Sequence, residues 1–567
     1  MPAEHPPRRA LFAALALAVA AALLWLAWRA MAPGGWTVWE ALAFACFAGT
    51  APWTALCAAN ALAGFAVLMA ARDPPAAVLP ALRQARTGGV PRLSTAIAVC
   101  VRNELMEEVL PPLGRLLDGL AARGAAGRFT LWLLSDTADP ALAAREEDAV
   151  AAFRAAHPGH AGRVRYRRRA ENTGYKAGNV MDFLDRHAEG HELMLCLDAD
   201  SEMSAEAVLR LVACMEADER LGIVQQLIAG RPATAAFPRL FQFGMRTGMR
   251  SWATGQAWWQ GPEGPYWGHN AVVRVAPFRE HCRLPTLPDG SAILSHDHVE
   301  AARLHAAGWA VRVVPEDNGS RDEHPPHLIA FLGRDLRWAA GNWQYRLLLR
   351  SRDLGRLGRF QMLQALLHYA LSPLWLAILP LAAVNAATGG AEGTPRGLLV
   401  LLLALGYLTL HAPKLAGYAE ALLRPATAGG LPPGGRLELL RRMGREMLFT
   451  LLFEPIAAVD KTVIMLRLLA GGRIGWPAQE RRARRVLPLE AARRFWPHTL
   501  AGAALLGLAA SASPFAALLM LPAVLGLLLA VPFCTATAEP LRGATREPLR
   551  PFDGDPVLVS RSNRLVS

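Results

Sequence analysis

The chain has 567 residues, 53% of them hydrophobic, and a formal net charge of +13 at pH 7. This length exceeds that of one ordinary domain, and the clustering of apolar residues into long uncharged runs excludes a purely soluble protein. Because the excess arginine flanks those runs, the positive charge indicates orientation in a membrane rather than binding of nucleic acid.

Two uncharged runs, residues 10–28 and 41–71, lie near the start of the chain. Each is long enough to cross a bilayer, which takes roughly 20 apolar residues. The first run has an alternative interpretation as a cleaved signal peptide, since Arg8-Arg9 precede it and Ala-Met-Ala follows at 30–32. The apolar core of a signal peptide spans about 7–15 residues, so an anchor is favoured. We predict that residues 1–89 form two transmembrane helices and that the following polar stretch is cytosolic.

Residues 90–350 change character, because short apolar strands alternate with helical stretches. The strands are STAIAVCV (94–101), FTLWLLSD (129–136), RVRYRRR (163–169) and LMLCLDAD (193–200). Such β-α-β-α order predicts a mostly parallel sheet covered by helices, in which ligands bind at the carboxyl ends of the strands. We therefore predict an α/β catalytic domain over residues 90–350.

Asp198 and Asp200 close the fourth of these strands. A D-x-D at that place can be an ordinary turn, but no lysine or arginine within several residues could neutralise the two carboxylates. A divalent cation, Mg²⁺ or Mn²⁺, prefers carboxylate oxygens and shares its ligand shell with substrate phosphates. The motif therefore predicts a metal-bound nucleotide diphosphate, with the metal stabilising charge on the departing phosphate.

Two further motifs favour the same ligand. Asp136 follows the second strand and is expected to lie beside the pair, although it could simply cap the next helix. In NTGYKAGN (172–179), Lys176 stands between two glycines at a helix start. There the glycines would let the backbone approach a phosphate with which Lys176 can pair.

The polar cluster LSHDHVE (294–300) opens a helix. Asp297 could cap that helix, but the histidines on either side of it favour a mixed site. We predict that Asp297 is a general base that takes the proton from an attacking hydroxyl.

The stretch GRDLRWAAGN (333–342) carries Arg334, Arg337 and Trp338 shortly before the next apolar run. The tryptophan could pack at the membrane interface, where aromatic residues collect. Arginine with tryptophan also suits a sugar phosphate, since the guanidinium binds the phosphate and the indole face binds the ring.

The order Asp136, Lys176, Asp-x-Asp, Asp297 and Arg-x-x-Arg-Trp resembles the processive family 2 glycosyltransferases, such as cellulose, chitin and hyaluronan synthases. The stretches ILSHDHVEAARLHAAGW, RDLRWAAGN and GRIGWPAQERRARR are most similar to the glucosyltransferase H branch, which makes osmoregulated periplasmic glucans. Arg334 stands where the family usually has glutamine, as that branch commonly has it. Serine-histidine replaces threonine-glutamate before Asp297, which argues against a cellulose synthase.

The resemblance implies a GT-A domain that transfers glucose from UDP-glucose, with inversion, into a β-(1,2)-linked glucan. It also implies that the protein lies in the bacterial inner membrane. The implied partners are UDP-glucose, the growing glucan, membrane lipids and a periplasmic glucan-processing protein, without nucleic acid. The roles carried over are Glu104 near the uridine, Asp136 and Asp198 on the UDP, Asp198 and Asp200 on the metal, Asp297 as base, Arg334, Arg337 and Trp338 in the acceptor and diphosphate cleft, and His269 and Asn270 in a loop that supports the acceptor.

Residues 351–538 are predicted to form a second membrane domain, followed by a polar cytosolic tail at 539–567. Its uncharged runs are 361–391, 397–413 and 495–538, the last broken at 511–514, and the total expected is about seven spans. Within the apolar stretch 447–466, Glu454, Asp460 and Lys461 indicate either a polar path for the glucan or an amphipathic interface helix. Trp476 and Gln479, in GRIGWPAQERR (472–482), are predicted to contact nucleotide or acceptor from the cytosolic side.

Alternative functions follow from the same features. The chain could synthesise another β-linked polysaccharide or transfer sugar to a lipid carrier. A transporter with a nucleotide-sensing domain would leave Asp297 and the Arg-x-x-Arg-Trp motif without a role. The seven cysteines form no Cys-x-x-Cys pair, which argues against a zinc site or a disulfide framework.

Overall fold

The computed structural model describes residues 6–85, 89–425, 430–472, 480–481 and 483–540. Its strands are β1 (Thr95–Val101), β2 (Phe129–Ser135), β3 (Val164–Arg168), β4 (Leu193–Asp198), β5 (Glu202–Met203), β6 (Leu221–Gln226), β7 (Ala229–Gly230), β8 (Ala271–Arg274), β9 (Ala310–Val314) and β10 (Ser320–Asp322).

The helices alternate with the strands in the first half and follow one another in the second. They are α1 (Pro6–Met31), α2 (Val38–Ala70), α3 (Pro74–Val78), α4 (Ala81–Gln84), α5 (Met106–Ala122), α6 (Pro140–Ala156), α7 (Tyr175–Arg186), α8 (Ala205–Ala217), α9 (Ala236–Gln260), α10 (Val275–His281), α11 (Asp297–Ala306), α12 (Leu328–Leu348), α13 (Arg356–Ala370), α14 (Ser372–Ala387), α15 (Arg396–Leu410), α16 (Ala412–Leu423), α17 (Gly435–Leu469), α18 (Pro488–Ala512), α19 (Pro514–Leu528) and α20 (Ala530–Ala538). Short 3₁₀ turns at Ala126–Arg128 and Ala161–Arg163 precede β2 and β3.

The main sheet confirms the predicted mostly parallel arrangement. Its seven strands lie in the order β3-β2-β1-β4-β8-β6-β9, and β8 runs antiparallel to both its neighbours. The register sets Val101 opposite Ser135 and Cys100 opposite Asp198, so β1, β2 and β4 end level with one another. A small sheet in the order β5-β10-β7 lies beyond those ends.

Helices cover both faces of the main sheet, as the alternating side chains of its strands require. In β1, Ile97 and Val99 join a buried cluster with α5 and α8, whereas Ala96 and Ala98 join a second cluster with α7, α10 and α11. The central strands are therefore buried on both sides, which is why they read as continuous apolar runs, whereas the edge strand β3 is basic and only partly buried. The polar residues that follow them are left at the sheet edge.

Helix α9 packs the α/β region against α2, and glycines let the backbones of the two helices touch. A Cβ on Gly64 would lie 1.8 Å from the Ser251 carbonyl oxygen, and one on Gly255 would lie 2.0 Å from that of Asn60. Beside this contact the buried Trp259 Nε1 donates to Asn60 Oδ1 at 2.9 Å. The first pair of long apolar helices is thus packed directly against the α/β region.

Several helices in the described residues are long and apolar enough to cross a membrane. Three single stretches qualify, Pro6–Met31, Val38–Ala70 and Arg356–Ala387, and two bent pairs raise the number to at most five. The pairs are α15 with α16, bent by 70°, and α19 with α20, bent by 51°. Helices α17 and α18 are outside this set, so the described residues hold fewer candidate spans than the seven expected.

The three charged residues in the apolar stretch 447–466 of α17 each have a partner. Glu454 Oε2 accepts from His411 Nε2 at 3.1 Å, and Asp460 binds Arg494 and His498 of α18. Lys461 Nζ lies 3.7 Å from Asp335 Oδ2 on α12. Both interpretations of this helix, polar path and interface helix, remain predictions.

Candidate active site

The carboxyl ends of β1, β2 and β4 open into one cavity of about 1220 Å³. Its wall collects residues that are far apart in the sequence: Glu104, Asp136, Lys176, Asp198, Asp200, His269, Asp297, Arg334, Arg337 and Trp338. Trp476 and Gln479 lie outside the described residues.

Lys176 and Asp198 form an ion pair at the centre of the cavity. Lys176 is the second residue of α7, and its ammonium contacts Asp198 Oδ1 and donates to the Gly268 carbonyl at 2.9 Å. Burial opposes ionisation of Asp198, but the Lys176 charge lowers the pKa of this carboxyl to about 2. Our inference that the D-x-D pair lacks a cationic neighbour is therefore wrong, because tertiary contacts supply one.

The two glycines around Lys176 allow the tight turn that begins α7. Gly174 has φ +70°, the left-handed region that favours glycine. A Cβ on Gly178 would lie 1.9 Å from the Thr173 carbonyl oxygen. The space beside Gly178 is thus filled by its own turn, whereas Gly174 lines the cavity, and the approach of this backbone to a phosphate stays a prediction.

Asp200 and Glu104 share a cation that the sequence analysis did not select. Arg481 Nη1 lies 2.8 Å from Glu104 Oε2, and its Nη2 lies 3.5 Å from Asp200 Oδ2. Burial, followed by the nearby carboxylates of the D-x-D motif, raises the pKa of Glu104 to about 7 against the opposing charge of Arg481. Arg481 belongs to the stretch GRIGWPAQERR, whose basic end was the available signal.

Asp322, at the end of β10, adds a carboxylate to the same wall. Burial, then the charge of Asp200, raises the pKa of Asp322 to about 7, and His269 Nε2 lies 3.9 Å from its Oδ2. No local motif singled out Asp322, since it reaches the cavity through the small second sheet. Carboxylate side chains outnumber lysine and arginine side chains on the cavity wall, which suits an incoming dication.

The oxygen ligands in the cavity fit a metal ion whose coordination shell is completed by substrate phosphates and water. Among the described residues, no three carboxylate, histidine or cysteine side chains form a ready-made metal site. Asp198 and Asp200 nevertheless face one cavity, and Mg²⁺ is commonly bound by one or two carboxylates together with substrate phosphates and water. These two residues could hold such an ion.

Asp136 lies at the same edge but not directly beside the pair, because β1 separates β2 from β4. It pairs with Arg169, whose Nη2 donates to Asp136 Oδ2 at 2.9 Å and to the Tyr175 carbonyl at 2.8 Å. Arg169 thereby ties Asp136 to the turn that carries Lys176. The sequence analysis missed Arg169, although it ends the basic run RVRYRRR.

Asp297 is the first residue of α11, where the helix dipole favours a negative charge. His298 Nδ1 lies 3.7 Å from Asp297 Oδ1. Burial disfavours the charged form, yet His298, with His296, holds the pKa of Asp297 well below its usual range. The carboxylate is therefore ionised at neutral pH and can accept a proton.

The loop 268–270 covers Asp297. Gly268 has φ +86°, and a Cβ there would lie 3.6 Å from Asp297 Cβ. His269 lines the cavity, but Asn270 is fully buried and donates through Nδ2 to Ser320 Oγ at 2.9 Å. Asn270 thus holds the loop in place and does not itself line the cavity, and the support of the acceptor by this loop stays a prediction.

Helix α12 supplies the cationic wall. Arg334 is 8% exposed and stacks on the rings of Trp338 and Phe331, at 4.4 and 5.5 Å from its Cζ. In the part of the chain that the structure describes, this guanidinium has no hydrogen bond or ion pair. Burial lowers the pKa of Arg334 and, similarly, that of Arg337. A buried cation that forms no ion pair with the nearby carboxylates Asp322 and Asp335 is suited to an anionic ligand.

Comparison with known proteins gives consistent results. Residues 96–282 match the family model "Glycosyl transferase family 2", and residues 193–413 match "Glycosyl transferase family group 2". Glucans biosynthesis glucosyltransferase H of Xanthomonas campestris pv. campestris (strain B100) is 32% identical over 547 residues, 92% of this chain and 83% of that protein. Its counterpart in Bradyrhizobium diazoefficiens is 33% identical over 558 residues, 94% and 73% of the two chains.

Among solved structures, the mannosyltransferase PcManGT from Pyrobaculum calidifontis, in complex with GDP-Man and Mn²⁺, is 17% identical with a TM-score of 0.40. The alignment covers 65% of this chain and 99% of that one. The main sheet and the matched family models together give a GT-A-like glycosyltransferase fold.

Proposed function

This chain belongs to the glucans biosynthesis glucosyltransferase H family of the family 2 glycosyltransferases, and we propose that it polymerises glucose from UDP-glucose into a β-(1,2)-linked glucan. The observation that carries this proposal is the single cavity that joins the D-x-D pair, the Asp297 carboxylate and the buried Arg334 guanidinium. A sugar-nucleotide transferase needs these three parts: residues that bind the diphosphate, a base, and a cation that stabilises the leaving group.

In the proposed reaction an acceptor hydroxyl oxygen attacks C1 of the glucosyl group. A new C1–O bond forms on the face opposite the leaving group, the C1–O bond to the diphosphate breaks, and its electron pair leaves with UDP. Asp297 takes the hydroxyl proton, while Arg334 and Arg337 face the charge that develops on the departing diphosphate. A bound Mg²⁺ or Mn²⁺ on Asp198 and Asp200 would screen the same charge.

The remaining roles follow from position on the cavity wall. Glu104 and Asp136 lie at the ends of β1 and β2, where the nucleoside part of UDP would bind. Trp338 is 45% exposed and offers its indole face to a sugar ring. Lys176, which holds Asp198, would turn towards the diphosphate when a metal neutralises that carboxylate.

The proposal includes the location. Helices long and apolar enough to cross a membrane flank the catalytic domain on both sides, and the basic clusters beside them favour a cytosolic catalytic domain in the bacterial inner membrane. The cavity extends from the D-x-D pair to Trp53 of α2 and His368 of α13, which lie in two of these helices. A glucan chain growing along that route would leave towards the periplasm, where a glucan-processing protein could receive it.

The test is replacement of the base. We expect Asp297→Asn to lower glucosyl transfer from UDP-glucose by about 10²–10⁴-fold, the usual contribution of general base catalysis, while UDP binding is kept. Asp353→Asn is the matched control, because Asp353 is an exposed carboxylate paired with Arg303. Transfer by D297N at near wild-type rate would refute the assignment of the base.

Donor and linkage need a separate experiment. The full-length protein in lipid nanodiscs is given each radiolabelled UDP-sugar in turn, and the product is digested with linkage-specific glucanases. We expect incorporation from UDP-glucose alone and a product sensitive only to β-(1,2)-specific cleavage. Polymer from UDP-N-acetylglucosamine, or a β-(1,4) product, would favour a chitin, hyaluronan or cellulose type of synthase.

A further inference from the structure

His296 and Glu300 form a buried pair beside the Asp297 carboxylate. His296 Nδ1 lies 2.8 Å from Glu300 Oε2, one helical turn away, and Glu300 is 2% exposed. No second ion-pair partner of Glu300 occurs among the described residues. Burying a carboxylate costs several kcal/mol unless it is well paired, so the pair fixes the imidazole firmly.

The pairing determines which nitrogen of the ring is available. The Glu300 carboxylate can only accept a hydrogen bond, so His296 Nδ1 carries the proton that is donated. The other ring nitrogen, Nε2, is left for another partner. His296 lines the cavity, and its Nε2 has no protein hydrogen bond in the described part of the chain. The residue precedes α11 without capping it through its side chain, so capping does not account for the histidine.

The loop at Gly268 shows where this nitrogen lies. A Cβ on Gly268 would be 3.6 Å from Asp297 Cβ, 3.6 Å from His296 Cε1 and 3.8 Å from His296 Nε2. The carbonyl of the same glycine accepts from Lys176, which holds Asp198. His296 Nε2 is therefore next to both the base and the donor end of the cavity.

We propose that His296 binds, through Nε2, the acceptor hydroxyl that neighbours the attacking hydroxyl, and that Glu300 is the positioning residue that orients the ring. With that hydroxyl held, the next one along the sugar is turned towards Asp297. His296 thus selects the hydroxyl that attacks C1, and hence the linkage, and it disfavours attack by water. This inference rests on the proposed function.

The experiment measures how glucose is partitioned. The full-length protein in nanodiscs receives UDP-[¹⁴C]glucose, and three quantities are recorded: glucan formed, free glucose released by hydrolysis, and the linkages found by methylation analysis. The variants are His296→Ala, His296→Gln, whose side-chain amide can replace Nε2, and Glu300→Gln. His305→Gln is the matched control, because His305 is half-buried in α11, the helix that His296 precedes, and does not line the cavity.

We expect H296A to lower the ratio of polymer to free glucose by tenfold or more and to produce mixed linkages, with H296Q restoring most of both and H305Q leaving both unchanged. E300Q should fall between H296A and the wild type. If H296A lowers polymer and hydrolysis equally with a single unchanged linkage, the pair is only structural and the inference fails. If the wild type itself transfers no glucose, it is the proposed function that fails.

Discussion

Arg334 gives a prediction in which stability and activity change in opposite directions. Its guanidinium is 8% exposed and, within the described residues, forms no ion pair or hydrogen bond. It contacts two aromatic rings, and the charges of Asp322 and Asp335 offset its burial only in part. The effective desolvation penalty of a buried ion is several kcal/mol, and each cation–π contact recovers about 0.5–2 kcal/mol. We therefore expect Arg334→Met, which keeps the ring contacts, to stabilise the ligand-free protein by about 1–3 kcal/mol.

The same substitution should weaken the proposed binding of the diphosphate. Removing one charge-stabilising donor costs about 10²-fold in transfer. If UDP affinity falls to a similar extent, UDP at 100 times the wild-type Kd stabilises the wild type by about 2.7 kcal/mol and the variant by only about 0.4 kcal/mol. The assay is thermal unfolding in detergent with and without UDP, together with the rate of glucosyl transfer.

Arg346 of the same helix provides the control. It is exposed, and it stacks over Trp343 at 4.6 Å much as Arg334 stacks over Trp338. Arg346→Met should change the free energy of unfolding by less than about 0.5 kcal/mol and leave transfer unchanged. A loss of more than about 1 kcal/mol of ligand-free stability in R334M would show that the guanidinium is well satisfied, and the reasoning would be refuted.

Three further predictions concern the metal, the helix contact and pH. Chelation of divalent cations, or Asp200→Asn, should abolish transfer, and Mn²⁺ or Mg²⁺ should restore the chelated enzyme but not the variant, as followed by UDP release. Gly255→Ala would place a methyl group 2.0 Å from the Asn60 carbonyl oxygen and should lower the free energy of unfolding by ~1–3 kcal/mol, as measured by thermal unfolding. Gly444→Ala is the control, because its methyl group would meet nothing within 4 Å. Equal melting temperatures of the two variants would contradict the close contact. The pKa of Asp322 is raised to about 7 in the folded state, so the folded protein binds more protons than the unfolded chain between about pH 4 and 7. This carboxyl therefore lowers stability as pH rises through that range. The melting temperature of Asp322→Asn relative to wild type should increase from pH 5 to pH 8, and a constant difference would contradict the prediction.

Sequence patterns determined the sheet because they are local. Strands β1, β2 and β4 are almost wholly buried, so each is a short continuous apolar run that ends in a polar residue. Strand β3, at the edge of the sheet, is basic and only partly buried. That pattern predicted β1 to β4, their parallel order and the placing of Asp136 and Asp198 at one edge. It could not show that β1 lies between them, since strand order depends on packing across the sheet.

The number of membrane spans was harder to predict from the sequence. Long uncharged runs predicted the positions of the apolar helices α1, α2, α13, α14, α15, α18, α19 and α20. They did not predict α16 or the charged helix α17. The bends at His411 and Leu529 divide two of the later segments, and hydropathy averaged along a segment does not register a bend. The close contact of α9 with α2 was likewise invisible, because it depends on two glycines nearly 200 residues apart.

The sequence by itself established which chemistry the site could hold: carboxylates at strand ends, a base at a helix start, and arginines with tryptophan on one helix. Only the tertiary structure decided how these charges are balanced. Lys176 on Asp198, Arg481 between Glu104 and Asp200, and Arg169 on Asp136 are ion pairs across 22 to 377 residues of chain. Electrostatic interactions depend on distance in space rather than on separation along the chain, so no local motif could reveal them.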